Sequence, residues 1–230
     1  MLQNNGDHNI LCPFGPMIYE SKISEEDLKF VKSFAEINRD SASQGSALSG
    51  NIKEQRGNEK ADPKMLSTMM EVLRPHIINW IIADDQRKLI NAGASSEEKI
   101  MIETVDYDSM KWHLGNGVWF NFMKQHEFNP LHCHTGTLSG IIMVEVPEVI
   151  ATEPDIFPMD SNARCPGQLE FVHGSYGAGA HRIIPKTGQI FVFPAELRHQ
   201  VYPFQSDVER ITMSWNVFDI SFDKKKDMWN

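Results

Sequence analysis

The chain has 230 residues, and its 31 acidic against 22 basic side chains leave a formal charge of −9. This balance argues against a nucleic-acid-binding protein, which needs a basic stripe to neutralise phosphates. The length and the 41% hydrophobic fraction fit a globular protein with a substantial core, and we treat residues 1–230 as one domain.

The first part of the chain, residues 1–99, predicts mainly helices. A first helix should be capped by Ser24, because a serine there can accept a hydrogen bond from the amide of Asp27. A second should begin at Asp62 with Pro63 in its first position and should kink at Pro75. Each has an apolar stripe at helical spacing, Leu28, Val31, Phe34 and Ile37 in the first and Leu66, Met69, Leu73 and Ile77 in the second.

The segment between these helices, residues 40–62, is rich in Ser, Gly, Asn and charged residues. Such a composition without apolar periodicity is typical of a surface loop. We therefore expect a mobile loop here.

The rest of the chain, residues 100–230, changes to short runs rich in Val, Ile, Phe and Trp, separated by Gly, Pro or Asn. This pattern predicts several antiparallel strands. The fold class expected is mainly β with α, with an N-terminal helical cover on a β-sandwich or jelly-roll core. The predicted strands are Val118–Phe122, Leu138–Val146, Gln168–Val172, Ile190–Phe193 and Arg210–Val217.

Two features bear on where the protein works. The longest apolar stretches, 77–83 and 141–146, are interrupted and far shorter than a membrane span. Cys12, Cys133 and Cys165 are an odd, widely spaced set without a CxxC motif, which fits a reducing compartment and argues against a disulfide scaffold. We expect a cytoplasmic protein.

Histidines carry the strongest functional signal. His132 and His134 stand two residues apart before an apolar strand, and in a strand such residues project from the same face. His199 follows a second apolar strand, so three imidazoles on neighbouring strands can face one metal and leave other coordination positions open. The alternative is that the HxH pair is only two polar residues on a solvated strand face.

Arg210 lies eleven residues after His199, with Thr212 two residues further on the same strand face. An arginine fork suits a carboxylate, and a threonine adds a hydroxyl donor beside it. Read alone, Arg210 is also consistent with a structural ion pair. Read with the histidines, it indicates a small dicarboxylate held between metal and guanidinium.

The order HxH, distal His, then R-x-T resembles the iron(II)- and 2-oxoglutarate-dependent oxygenases. The stretches HCHTGTLSGIIMVEVPE and GQIFVFPAELRHQVYPFQSDVERITMSWNV are closer still to a bacterial and phage subfamily of hydroxylases, in which HxHP, LSG, FPxxLxHxVxP and ERxxxSxN occur in this order. The present chain has Thr135 in place of the proline of HxHP. The similarity extends to the N-terminal stretch CPFGPMIYESKISEEDL.

The resemblance implies a double-stranded β-helix with Fe(II) held by His132, His134 and His199. His134 stands where most of the superfamily has an acidic residue, so the site would be one charge more positive than usual. The resemblance also implies that Arg210 and Thr212 bind the distal carboxylate of 2-oxoglutarate. Asn121, on the strand before the HxH pair, is a candidate donor to the inner carboxylate, although an ordinary inward polar residue would look the same.

The implied reaction is hydroxylation of an unactivated C–H bond in a peptide, protein or small metabolite, with release of succinate and carbon dioxide. The expected partners are 2-oxoglutarate, dioxygen and an unidentified primary substrate, without nucleic acid or membrane. The sequence is compatible with a homodimer. If the protein is encoded by a phage, it would act in the host cytoplasm.

Three other readings stay open. A cupin-like metal-binding barrel would share the stretch from Gly188 to His199, but Glu196 occupies the place of a glycine, and Leu138 and Ser139 stand where the first cupin motif needs a glutamate. A three-histidine dioxygenase would use the same ligands without 2-oxoglutarate. A non-enzymatic component built on the same barrel would take up no metal.

Overall fold

The computed structural model describes residues 8–13, 15–90, 95–153, 165–174 and 179–225. Its four helices are α1 Glu25–Asn38, α2 Pro63–Ile90, α3 Ser96–Thr104 and α4 Glu148–Ala151. Its strands are β1 His8–Leu11, β2 Ile18–Lys22, β3 Gln55–Arg56, β4 Val105–Met123, β5 Asn129–His132, β6 Leu138–Glu145, β7 Leu169–Val172, β8 Ala180–Ile183, β9 Gln189–Pro194, β10 Arg198–Val201 and β11 Arg210–Lys224.

The two predicted helices begin where their capping residues stand. The Ser24 hydroxyl accepts from the amide of Asp27 at 3.0 Å, and the Asp62 carboxylate accepts from the amide of Met65 at 2.8 Å. α2 continues through Pro75 as one 28-residue helix. In the described part of the chain, no helix is both long and apolar enough to span a membrane.

The strands form two antiparallel sheets. The seven-stranded sheet has the order β1-β2-β9-β6-β11-β4-β3, and the four-stranded sheet has the order β5-β10-β7-β8. Along the chain from β4 to β11, the strands pass repeatedly from one sheet to the other, as a double-stranded β-helix requires. The predicted mainly-β class with a jelly-roll core is therefore confirmed, and all five predicted strands are present.

The N-terminal part differs from the expectation, because it contributes strands as well as helices. β2 pairs with β9 and β3 pairs with β4, so residues before 100 extend the large sheet at both edges. β3 lies within the expected loop 40–62, whose mobility stays a prediction. A two-residue strand has too few residues to show an apolar period, which is why the sequence did not indicate it.

Two apolar cores lie on opposite faces of the large sheet. On one face, Val31 and Phe34 of α1 and Leu73 of α2 share a cluster with sheet residues such as Phe120 and Trp215. The other core lies between the two sheets and includes Met143, Phe171, Phe193 and Val201. The large sheet is thus covered on both faces, and only the face towards the small sheet reaches the histidines.

A close approach between strands shapes the helix-side core. Trp215 on β11 lies opposite Gly140 on β6 and is fully buried. A Cβ at Gly140 would lie 2.1 Å from the indole ring, so only glycine leaves room for it. The LSG motif therefore serves packing at this position.

Candidate metal and cosubstrate site

The three predicted histidines meet in one cluster. Their nitrogen ligand atoms all lie within 4.8 Å of one another, which makes them a group able to hold a metal ion. The ring centroids of His132 and His199 are 4.3 Å apart, and that of His134 lies 4.9 Å from His132 and 5.0 Å from His199. Among the described residues, no other group of three His, Cys, Asp or Glu side chains has this geometry.

Strand pairing explains only part of this convergence. His132 on β5 lies directly opposite His199 on β10. β5 ends at His132, so His134 does not reach the cluster by strand alternation as the sequence suggested. Its backbone amide instead donates to the carbonyl of Ala195 at 2.8 Å, and this bond holds the turn against the loop between β9 and β10.

Backbone carbonyls orient two of the imidazoles. Nδ1 of His132 lies 2.7 Å from the carbonyl oxygen of Pro130, and Nδ1 of His199 lies 3.0 Å from that of Leu197. A carbonyl can only accept, so each Nδ1 carries the proton and each Nε2 keeps its lone pair. Such carbonyl partners are typical of histidines that ligate a metal.

Burial keeps these histidines neutral. It lowers the pKa of His134 to about 4 and, helped by the two neighbouring imidazoles, that of His199 to about 3. Burial also lowers the pKa of His132, although its bond to Pro130 opposes the change. Neutral imidazole is the form that binds a metal, so the cluster is ready to do so at neutral pH.

Arg210 is the most unusual charged residue described. It is 1% exposed, and Nη1 donates to the carbonyl oxygen of Gly167 at 2.9 Å while Nη2 lies 3.5 Å from Sδ of Met143. Its Nε has no partner, and in the described ranges no carboxylate pairs with the guanidinium. Burial lowers the pKa of Arg210 to about 10, so it stays charged at neutral pH.

The surroundings of Arg210 argue against the structural ion pair that its sequence position also allowed. A buried cation without a counter-ion is costly unless an anion from outside neutralises it. Arg210 lines the same cavity as the three histidines. The cavity therefore combines three neutral ligands with a permanent positive charge, as a metal and a dicarboxylate require.

Thr212 and Asn121 line this cavity too, and their contact with a cosubstrate stays a prediction. They lie opposite each other on β11 and β4, and Nδ2 of Asn121 donates to Oγ1 of Thr212 at 3.3 Å. Neither is an isolated inward polar residue, since both belong to one hydrogen-bonded row.

The segment before α2 also contributes to the cavity, which the sequence pattern did not predict. Leu48, Ser49, Ile52 and Gln55 form one wall of the cavity. Gln55 is 1% exposed, and its Nε2 donates to Oδ1 of Asn121 at 3.0 Å. This segment has no periodicity or motif, so nothing in the sequence pointed to it.

A second cleft adjoins the histidines on the outer side. It has a volume of about 290 Å³ and shares His132, His134 and Trp119 with the inner cavity. The Trp119 ring packs against that of His134, with centroids 5.6 Å apart. None of the residues that line the cleft is Asp, Glu, Lys or Arg; they include Leu48, Ser49, Cys133, Thr135, Asn216 and Phe218.

Comparison with solved structures finds distant similarities. A prolyl-4-hydroxylase from Pseudomonas putida is 15% identical with a TM-score of 0.43, over 91% of this chain and 92% of that one. HygX from Streptomyces hygroscopicus, solved with nickel, 2-oxoglutarate and hygromycin B, is 8% identical with a TM-score of 0.49, over 90% and 83%. A prolyl hydroxylase from Trichoplax adhaerens, in complex with a peptide of hypoxia inducible factor, is 11% identical with a TM-score of 0.48, over 94% and 85%. These TM-scores are too low to carry an argument.

Comparison at the level of sequence families is more informative. No curated protein matches the chain. Residues 117–216, however, match the family described as "Putative 2OG-Fe(II) oxygenase". This segment contains Asn121, the three clustered histidines, Arg210 and Thr212. The match covers less than half of the 230-residue chain, and it shows that this segment is similar to the 2-oxoglutarate-dependent Fe(II) oxygenases, enzymes that use Fe(II) with 2-oxoglutarate and dioxygen as cosubstrates.

Proposed function

We propose that this enzyme hydroxylates an unactivated C–H bond, with conversion of 2-oxoglutarate to succinate and carbon dioxide. His132, His134 and His199 hold Fe(II), and Arg210 and Thr212 hold the distal carboxylate of 2-oxoglutarate. Asn121 donates to the inner carboxylate. The observation that carries the proposal is the buried, unpaired guanidinium of Arg210 in the same cavity as the histidine cluster.

The histidines fit a ferrous ion by their chemistry. Imidazole is a common ligand of Fe(II), and three of them leave positions open for two further ligands and dioxygen. No carboxylate completes the group in the described part of the chain, which favours His134 as the third ligand. Three neutral ligands leave the metal its full charge, and with Arg210 the cavity carries three positive charges for a dianionic cosubstrate.

The chain's own residues orient the cosubstrate and exclude water. When bound, Fe(II) supplies the redox chemistry that activates dioxygen. Arg210 and Thr212 fix one end of 2-oxoglutarate, which directs its 2-oxo acid end towards the histidines. Phe193, whose ring centroid lies 4.9 Å from that of His199, and Phe171, at 6.0 Å, close the inner side of the site with apolar surface.

The outer cleft is where the primary substrate would bind. A charged group entering it would lose hydration without meeting an opposite charge, which is unfavourable. Trp119 and Phe218 instead offer aromatic surface, and Asn216 and Ser49 offer neutral hydrogen bonds. We therefore infer that the oxidised part of the substrate is uncharged, as in the interior of a peptide or a neutral metabolite.

The reaction is tested with the purified protein under anaerobic conditions. Addition of Fe(II) and then 2-oxoglutarate should produce a visible metal-to-ligand charge-transfer band, and admission of oxygen should yield succinate. Absence of both would overturn the proposal. Metal uptake without a band or succinate would instead support the cupin-like barrel or the three-histidine dioxygenase.

The ligand role of His134 is tested separately. His134→Ala should weaken Fe(II) binding more than about 100-fold, because removal of a ligand should cost more than the 10- to 100-fold typical of losing a group that only orients a ligand. Affinity is measured by titration with Fe(II) under anaerobic conditions, with His113→Ala as the control because His113 lies outside the cluster. Unchanged iron affinity in His134→Ala would exclude a three-histidine site.

A further inference from the structure

A row of polar side chains crosses the inner face of the large sheet. Gln55 on β3 lies opposite Asn121 on β4, and Asn121 lies opposite Thr212 on β11. The three side chains are hydrogen-bonded in sequence, Gln55 to Asn121 at 3.0 Å and Asn121 to Thr212 at 3.3 Å. All three are buried and line the cavity with Arg210.

The hydrogen bonds of this row have a direction. Nε2 of Gln55 donates to Oδ1 of Asn121, so Nδ2 of Asn121 can give one hydrogen to Oγ1 of Thr212 and keep the other for the cosubstrate. A hydroxyl that accepts in this way keeps its own hydrogen free to donate elsewhere. The proton of Thr212 is thereby available to a carboxylate beside Arg210.

Gln55 is held firmly at the start of this row. Its backbone carbonyl accepts from the amide of Gln44 at 2.8 Å, and the carbonyl of the preceding Glu54 accepts from Phe122 at 3.0 Å. Gly50 leaves the space for its side chain, because a Cβ there would lie 2.9 Å from Nε2 of Gln55 and 2.4 Å from Oδ1 of Asn129.

Packing alone does not account for a glutamine at this position. Oε1 of Gln55 is buried and has no hydrogen-bond partner among the residues that the structure describes. A buried amide oxygen without a donor is unfavourable, and an apolar side chain of the same length would avoid that loss. The polar row therefore serves something other than folding.

We propose that Gln55 is a positioning residue for 2-oxoglutarate, acting through Asn121 to keep the hydroxyl of Thr212 directed at the distal carboxylate. This inference rests on the proposed function, because it needs 2-oxoglutarate between Arg210 and the histidines. It assigns a binding role to the segment before α2, which lies outside the matched family region 117–216.

Two substitutions test the direction of the row. Gln55→Met keeps the length of the side chain and removes the donor. Gln55→Glu supplies only an acceptor, so Asn121 must turn its amide to donate to it, and the hydroxyl of Thr212 must then donate to Asn121 rather than to the cosubstrate. We expect the Kd of 2-oxoglutarate to rise about tenfold for Gln55→Met and about a hundredfold for Gln55→Glu, which also adds a negative charge.

The measurement is an anaerobic titration of the Fe(II)-loaded protein, followed by the visible charge-transfer band. Fe(II) affinity itself should stay within about twofold of wild type, because no metal ligand changes. The same titration with 2-oxobutyrate, which has the 2-oxo acid end without the distal carboxylate, should show almost no penalty for Gln55→Met. For Gln55→Glu its penalty should be clearly smaller than that of 2-oxoglutarate, because only the turned Asn121 amide and the added charge act on it. This pattern separates positioning from a general loss of structure.

Glu54→Gln is the matched control. Glu54 precedes Gln55 but pairs with Lys124 at 2.7 Å, so this change touches the same segment without touching the row. If wild type binds 2-oxoglutarate and both Gln55 variants bind it as tightly, the role of Gln55 is overturned while the proposed function stands. Equal losses for 2-oxoglutarate and 2-oxobutyrate would also overturn it. If wild type gives no band, the proposed function itself fails.

Discussion

The two faces of β11 carry opposite chemistry although both are buried. Ile211, Met213 and Trp215 face the helices and belong to the apolar cluster there. Arg210, Thr212 and Ser214 alternate with them and face the cavity between the sheets. One strand thus supplies residues both to the apolar packing of the molecule and to its polar cavity.

This difference shows how the fold separates stability from binding. On the helix side, burial of apolar surface stabilises the protein. On the cavity side, burial of Arg210 and of the polar row costs free energy, which a bound anion would offset under the proposed function. Substitutions on the helix side should therefore lower the stability of the protein, whereas substitutions on the cavity side should weaken ligand binding.

The largest effect is expected on the helix side. Trp215→Ala should lower the free energy of unfolding by about 4 kcal/mol, because it leaves a cavity beside Gly140 that the neighbouring strands cannot fill. Denaturant unfolding followed by fluorescence or circular dichroism measures this loss. A decrease below about 1 kcal/mol would show that the site collapses or is poorly packed.

A smaller effect of a different kind is expected on the cavity side. Arg210→Met should weaken binding of 2-oxoglutarate about a hundredfold, since it removes the charged partner of a buried carboxylate. The same change should raise the stability of the ligand-free protein by about 1 kcal/mol, since an unpaired buried charge is lost.

Binding is followed by the charge-transfer band and stability by denaturant unfolding. Arg198→Met is the control, because Arg198 is an exposed arginine on the neighbouring small sheet. A loss of stability in Arg210→Met, with binding retained, would show that the guanidinium is structural after all.

The smallest effect is the pH dependence of the free energy of unfolding, to which a buried histidine on the helix side contributes. Burial on the helix side, close to Tyr19, lowers the pKa of His76 to about 4, and its Nδ1 lies 2.9 Å from the hydroxyl of Tyr19. Because the folded pKa lies below the unfolded value of about 6.5, protons bind preferentially to the unfolded chain. Between pH 7.5 and pH 5, His76 should therefore account for a loss of about 2 kcal/mol in stability.

Comparing His76→Phe with wild type isolates this contribution, because the cavity histidines titrate in both proteins. The free energy of unfolding of the variant should fall less steeply with decreasing pH. Identical slopes for the two proteins would contradict a neutral buried His76.

Much of the site was predictable because its residues lie on regular strands with local signals. The alternation RITMSWN indicated a strand with one polar face, and HxH with a distal histidine indicated a metal group. The capping residues Ser24 and Asp62 likewise marked the helix starts. By contrast, β3 and Gln55 had no local signal, because their structure depends on pairing with β4, more than sixty residues further along the chain.

The sequence by itself determined which residues share a face, since side-chain alternation and helical spacing are local properties of the backbone. It also determined the ligand types and the order of His132, His134, His199 and Arg210 along the chain. Tertiary structure alone decided that the polar face of β11 is buried rather than solvated. It did so because the small sheet covers one face while α1 and α2 pack against the other, and these contacts bring together residues that are distant in sequence.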